Sequence, residues 1–271
     1  MEPLLLHPDT PAWLAWATLL AAAVVIGVAK SGFGGGIGVL AVPLVGNVLA
    51  ADHAVGVMLP VLIGADLVAV AQHRRERSPR HLRPALVGAF AGIVLAALAV
   101  FALLRRDGLG GEASRDALAT ALAVTVGSVT LTMVALQVFR WCGGRLRRVP
   151  DTAWAGALAG ALAGFVSAVA HAAGPIMTLY WLEARLDKRK LVATLVVFFF
   201  VVNVLKVPFY LLGALISPAT LWVSLGMLAA VPVGSMLGLW LHRRVPEGPF
   251  TAVMYVAAAI AGARMLGQAL G

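Results

Sequence analysis

The sequence predicts an all-α polytopic membrane protein built as an inverted-topology repeat of two five-segment halves. Each half carries a broken or re-entrant helical hairpin, and the total comes to 8–10 hydrophobic helices. Three observations carry this reading. Of 271 residues, 61% are hydrophobic and only 12% charged, with mean hydropathy +0.93, whereas soluble domains carry about 25% charged residues. A water-soluble chain of this length could not hide so much apolar surface in one core. The basic residues fall in short loops between apolar runs, and the runs of one half match those of the other at a fixed offset.

The apolar runs of the first half lie at about 12–29, 36–51, 54–72, 83–104 and 116–140, and those of the second at about 152–168, 173–184, 191–213, 219–241 and 250–269. A full helical crossing needs about 20 residues, so 36–51 and especially 173–184 are short for one and read as half-helices or re-entrant segments. The chain is expected to be one transmembrane transporter domain over 1–271, with repeat 1 at about 12–140 and repeat 2 at about 152–269. The stretch from Met1 to Pro11 has no basic region ahead of its apolar run and does not read as a cleaved signal peptide.

Net charge is +9, but its placement argues against nucleic acid, which would need a continuous basic face on soluble structure. Arg74, Arg75, Arg77, Arg80 and Arg83 share one loop, and Arg140, Arg145, Arg147 and Arg148 a second. Arg185, Lys188, Arg189 and Lys190 form a third cluster, and Arg243 with Arg244 a fourth. This is the positive-inside pattern, so the loops near 73–83, 140–148, 185–190 and 242–244 are assigned to the cytoplasm and the chain to the cytoplasmic (inner) membrane. The loop from Arg105 to Asp116 then lies outside, its three arginines balanced by Asp107, Glu112 and Asp116. The alternation closes only if 12–51 starts and returns on the outer side and 152–184 on the inner side. Both then behave as hairpins.

At an offset of 137, Gly27 falls on Gly164, Lys30 on Ser167 and Asp66 on Asn203. An odd number of segments per half makes the second copy enter from the opposite face, the inverted repeat used by many secondary transporters.

The first hairpin turns at Ala29-Lys30-Ser31-Gly32-Phe33-Gly34-Gly35-Gly36-Ile37-Gly38. So many glycines disfavour a continuous helix, and a break in the bilayer is tolerated where it lines a cavity or is buried in protein. A helix starting near Gly36 would aim free N–H groups and its positive dipole end into that cavity, and Lys30 adds a full charge. The expected guest is an anion. The competing reading is close helix packing through Gly34-x-x-x-Gly38, which accounts poorly for three consecutive glycines beside a lysine. The spacing matches neither a Walker A loop nor a dinucleotide fingerprint.

The second hairpin turns between Gly164 and Pro175. Pro175 suits the first turn of a new helix, which leaves His171 in the break, upstream of Gly174. Such a histidine is either interhelical glue or a ligand donor or proton carrier. Facing the first break, it would complete a two-sided anion site. Asp66 and Lys206 lie inside apolar runs, Lys206 three residues after Asn203; intramembrane charges are rare and default to function. They are expected either to pair with each other or to leave Asp66 as a coupling-proton site. Arg264 is near enough to the C-terminus to snorkel.

At these motifs the chain resembles the TauE/SafE, or sulfite exporter-like, family of membrane transporters. The run Gly32-Phe33-Gly34-Gly35-Gly36 with Pro43 is similar to its glycine-rich signature. The second half resembles a subgroup with a His-Ala-x-Gly-Pro motif. That match runs through Ser167, Ala170-His171-Ala172, Gly174-Pro175, Tyr180, Leu186-Asp187-Lys188, Thr194 and Phe198-Phe199, then Asn203, Lys206, Pro208, Tyr210 and Gly213. Ala172 and Ala173 depart from the wider family, where more glycines are common. The resemblance implies a permease for sulfite, sulfoacetate or other sulfonates.

The functional expectation is a secondary transporter of a small anion by alternating access, with the anion bound between two helix breaks near the membrane midplane. Its candidate substrate-binding residues are Lys30, Ser31, Gly34, Gly35, Gly36, Ser167, His171 and Gly174, and its candidate coupling or gating residues Asp66, Asn203 and Lys206. No ATP-binding motif appears, so a gradient of protons or sodium ions would supply the energy, and a homodimer is compatible. A passive anion channel is the first alternative, and an intramembrane enzyme the second. No catalytic motif, metal-ligand spacing or cofactor signature is found: the six histidines are scattered, and positive dipole ends would repel a cation. The single cysteine, Cys142, excludes an internal disulfide.

Overall fold

The computed structural model describes residues 10–33, 41–73, 77–105, 112–144, 150–184, 186 and 188–244. It also describes 256, 259–260, 262–264, 266–267 and 269–270 of the last stretch. The first half comprises α1 (Ala12–Phe33), α2 (Ala41–Gly46), α3 (Ala51–His73), α4 (Pro79–Arg105) and α5 (Glu112–Trp141). The second comprises α6 (Ala153–Ala170), α7 (Gly174–Glu183), α8 (Lys188–Leu212), α9 (Pro218–Leu228) and α10 (Val231–Arg244). No strand occurs among the described residues. The described residues of the last apolar run are helical, Arg264 among them and exposed.

Six of these helices (α1, α3, α4, α5, α6 and α8) are long and apolar enough to cross a membrane, and α9 with α10 makes a seventh if taken as one broken span. The chain is a multi-pass membrane protein. At about 1.5 Å per residue, the ten residues of α7 cover about half of a hydrocarbon core. The six residues of α2 cover less.

The apolar run 219–241, expected as one span, is instead two helices bent by 42°. Pro232, second in α10, has no N–H to offer the carbonyl of Leu228, so the ladder stops at Ala229 and restarts. At the other end α9 begins with a capping box: Ser217 accepts from Thr220 N–H, Thr220 reciprocates, and Pro218 fills the first turn. α4 starts at Pro79, four residues ahead of the apolar run, so its first turns carry Arg80, His81 and Arg83.

Small residues let two helix pairs close on each other. α6 turns Gly160 and Gly164 to α4, where an added Cβ would overlap the carbonyls of Ala85 and Ala89. In return Gly88 and Gly92 of α4 sit on Ala157 and Ala161. α1 and α10 repeat the arrangement: a Cβ added to Gly27 would come within 2.5 Å of the Val231 carbonyl, and one added to Gly234 would overlap that of Val24. On the opposite face of α6, Trp154, Leu158 and Leu162 are exposed at four-residue intervals, and Val87, Phe90, Leu95 and Leu98 are exposed along α4. That apolar outer surface suits lipid. The interior is organised around α3, whose Val57, Met58, Leu59, Val61 and Ala65 are fully buried and which packs along α8.

Candidate functional site

Polar side chains gather where α1, α3, α8 and the α6–α7 break meet. Lys30, Ser31, Asp66, Ser167, His171, Asn203 and Lys206 are all buried.

The break is built by the backbone. α6 ends at Ala170, and His171 adopts the left-handed conformation, φ 51° and ψ 26°, with its N–H bonded to Ser167 O. Outside glycine this conformation is uncommon, and histidine is among the residues that visit it more readily. The turn stops the helix and carries the imidazole into the protein instead of along α6. Ala172 and Ala173, both buried, lead to Gly174 at the start of α7, with Pro175 in the first turn.

Two hydrogen-bonded groups occupy the cluster. In the first, Lys30 Nζ pairs with Asp66 Oδ1 at 2.5 Å, and Asn203 Nδ2 donates to Asp66 Oδ2 at 2.6 Å. Lys30 Nζ also lies 4.7 Å from the centroid of the Phe199 ring, a favourable cation–π placement. In the second, Lys206 Nζ donates to Ser167 O and Ser167 Oγ, both at 3.1 Å, and lies 2.8 Å from His171 Nδ1. His171 Nε2 is 3.0 Å from Val55 O, a carbonyl that only accepts. The imidazole is therefore protonated at Nε2, and its Nδ1 accepts from Lys206. Tyr210 O–H donates to Ala168 O at 2.6 Å and stands 3.4 Å from His171 Nε2. Asn203 and Lys206, three apart on α8, bring the two groups to one helix face.

Of the two alternatives expected for Asp66 and Lys206, the direct ion pair is not formed. Asp66 takes Lys30 from α1 as its ion-pair partner, and Lys206 turns to the α6–α7 break. Ser31 is buried, and its Oγ has no hydrogen-bond partner among the described residues. Gly174 is buried at the head of α7. Gly34, Gly35 and Gly36 lie outside the described residues. Tyr210 was not among the expected site residues, although it stands one turn beyond Lys206 and so shares its face. The roles of Val55 O and Phe199 depend on tertiary contact and leave no local signal.

Lys30, Asp66 and Lys206 are the charged side chains buried among the described residues. With both lysines protonated, two ammonium groups would face one carboxylate, leaving one positive charge unmatched among the described residues. Beside Lys206 a narrow cleft of about 30 Å³ opens between α4 and α8, walled by Ile93, Ala96, Val100 and Phe209 as well as Lys206 and Tyr210. Among the described residues no group of three or more His, Cys, Asp or Glu comes together to hold a metal.

A family model described as sulfite exporter TauE/SafE matches residues 19–265, a span that includes every residue of the cluster. No curated protein and no solved structure matches the chain.

Proposed function

Because the chain belongs to the sulfite exporter TauE/SafE family, a family of membrane transporters, we propose that it is a secondary transporter of a small anion, sulfite or an organosulfonate, working by alternating access. The observation that carries this is Lys206, fully buried beside the α6–α7 break and, among the described residues, without a carboxylate in salt-bridge contact. An uncompensated charge in a membrane interior is costly and marks a substrate or ion pathway. An anion of low charge supplies the missing counter-charge, and a cation would not. Lys206, His171 and the Ser31 hydroxyl, unpartnered among the described residues, are the groups that receive it, and Lys30 with Asp66 and Asn203 forms the adjoining wall.

The two halves are read as an inverted repeat, and the packing supports that reading. Gly27 and Gly164, 137 apart, meet the carbonyls of Val231 and Ala89. The intermediate pairs run the same way, Gly234 on Val24 and Gly92 on Ala161. Each half thus lends its first helix to the other half's fourth segment, which lets one pair rock as a unit against the other. The proposed orientation puts the basic loops at 73–83, 140–148, 185–190 and 242–244 in the cytoplasm of an inner membrane, as the positive-inside pattern suggests.

The test is transport by purified protein in proteoliposomes. Wild type takes up radiolabelled sulfite or sulfoacetate, and Lys206→Ala and His171→Ala lose most of that uptake. Variants that transport as fast as wild type would refute the site.

A further inference from the structure

We infer that Lys206, with His171 Nδ1 beside it, is the coupling-proton site: it gains one proton as the anion arrives and gives it up as the anion leaves. This rests on the reading that the cluster holds the transported anion.

Lys206 is fully buried. An ammonium has three N–H donors, and here all three meet neutral acceptors: Ser167 O, Ser167 Oγ and His171 Nδ1. No carboxylate among the described residues forms a salt bridge with it. Asp66 is bonded to Lys30 at 2.5 Å and to Asn203 at 2.6 Å. A buried ammonium facing only neutral groups is unfavourable. Either an anion comes in or the proton goes out, and a carrier that returns empty needs both states in turn.

The geometry supplies the second seat for the same proton. Because Val55 O holds the hydrogen on His171 Nε2, Nδ1 presents a lone pair to Lys206 Nζ across 2.8 Å. The proton is shared along that line, and the histidine need not change tautomer.

The titratable and charged groups around Lys206 are few. Lys30 comes from α1, Asp66 from α3, His171 from the break and Tyr210 from α8 itself. Tyr210 O–H is bonded to Ala168 O. On α7, Tyr180 is turned away to Thr152 O. α4 contributes Ile93, Ala96, Ala97, Val100 and Phe101 to the cleft, none titratable, so Lys206 is the one charged group among the residues lining it.

The step balances simply. A proton leaves water on one side and an N–H bond forms at the Nζ lone pair. On release that bond breaks and the proton enters water on the other side. The anion's own bonds do not change. A monoanion then crosses without net charge.

The experiment uses methanesulfonate, whose charge is fixed at neutral pH where that of sulfite is not. Purified protein in weakly buffered detergent is titrated while a pH-indicator dye and calorimetry follow protons and binding together. Wild type takes up about one proton per anion bound, as expected when a single group changes charge. Lys206→Arg keeps the positive charge but holds its proton permanently, so it binds without proton uptake. In proteoliposomes the wild type responds to an imposed pH gradient and not to an imposed voltage. Binding by wild type without proton uptake, or proton uptake by Lys206→Arg equal to wild type, would overturn the coupling and leave the anion site standing. Failure of methanesulfonate, sulfite and sulfoacetate alike to bind would remove the site and the coupling with it.

Discussion

Asn203 Nδ2 donates to Asp66 Oδ2 at 2.6 Å, and the two residues stand 137 positions apart. The same interval separates Lys30 from Ser167 and Gly27 from Gly164. Under the repeat reading, each of Asp66 and Asn203 is the other's counterpart, and a residue can touch its own counterpart only beside the pseudo-twofold axis. The halves differ there in charge. The first pairs an ammonium with a carboxylate, whereas the second offers an amide and a serine, so the surplus charge gathers on the Lys206 side.

The Lys30–Asp66 pair is expected to be worth more to the fold intact than halved. Asp66→Leu leaves Lys30 buried without its carboxylate and should cost about 3–5 kcal/mol, the usual penalty for breaking a buried pair. Lys30→Met combined with Asp66→Leu should recover most of that loss. Denaturant unfolding in detergent micelles reads both values, and a double variant as unstable as Asp66→Leu would contradict the pairing.

Gly164→Val should be among the most damaging substitutions in the chain. Its Cβ would overlap the Ala89 carbonyl, a backbone atom that cannot step aside, so the cost should reach about 3 kcal/mol, the upper part of the overpacking range. Gly267→Ala, with nothing within 4 Å of the added Cβ, should change stability by less than about 0.5 kcal/mol. Thermal unfolding of the two variants side by side makes the comparison.

Tyr210→Phe removes the donor to Ala168 O at 2.6 Å and the hydroxyl 3.4 Å from His171. It should lower stability by about 1 kcal/mol, the net worth of one such hydrogen bond. Its effect on the KM for transport should be smaller than that of His171→Ala, because Lys206 and Ser167 stay in place. Saturation curves for sulfoacetate uptake measure the difference.

Cys142, exposed at the end of α5 and the sole cysteine of the chain, is a built-in topology probe. With the basic loops in the cytoplasm, a membrane-impermeant maleimide should label it in inside-out vesicles and spare it in intact spheroplasts. Labelling in spheroplasts would invert the orientation.

Much of this architecture is legible in the sequence, because hydropathy reports burial in lipid directly. The break at His171 is visible through Pro175 and the short run that follows it. The importance of Asp66, Asn203 and Lys206 is visible because polar groups inside apolar runs are expensive. Which partner each chooses is not, since Lys30 reaches Asp66 only through the packing of α1 on α3. The break at Ala229 was hidden by an unbroken apolar run, with Pro232 as the one local sign. The glycine run at 34–36 lies outside the described residues, so its expected part in the site remains a proposal.

The central claim is that the transported anion sits at the Lys206–His171 end of the buried cluster. Crystals grown with 2-bromoethanesulfonate test it most directly, through the anomalous signal of bromine. The account predicts a peak in the α4–α8 cleft with the sulfonate density turned toward Lys206, lost in crystals of Lys206→Ala. A peak confined to the outer surface, in protein that still transports the compound, would contradict it.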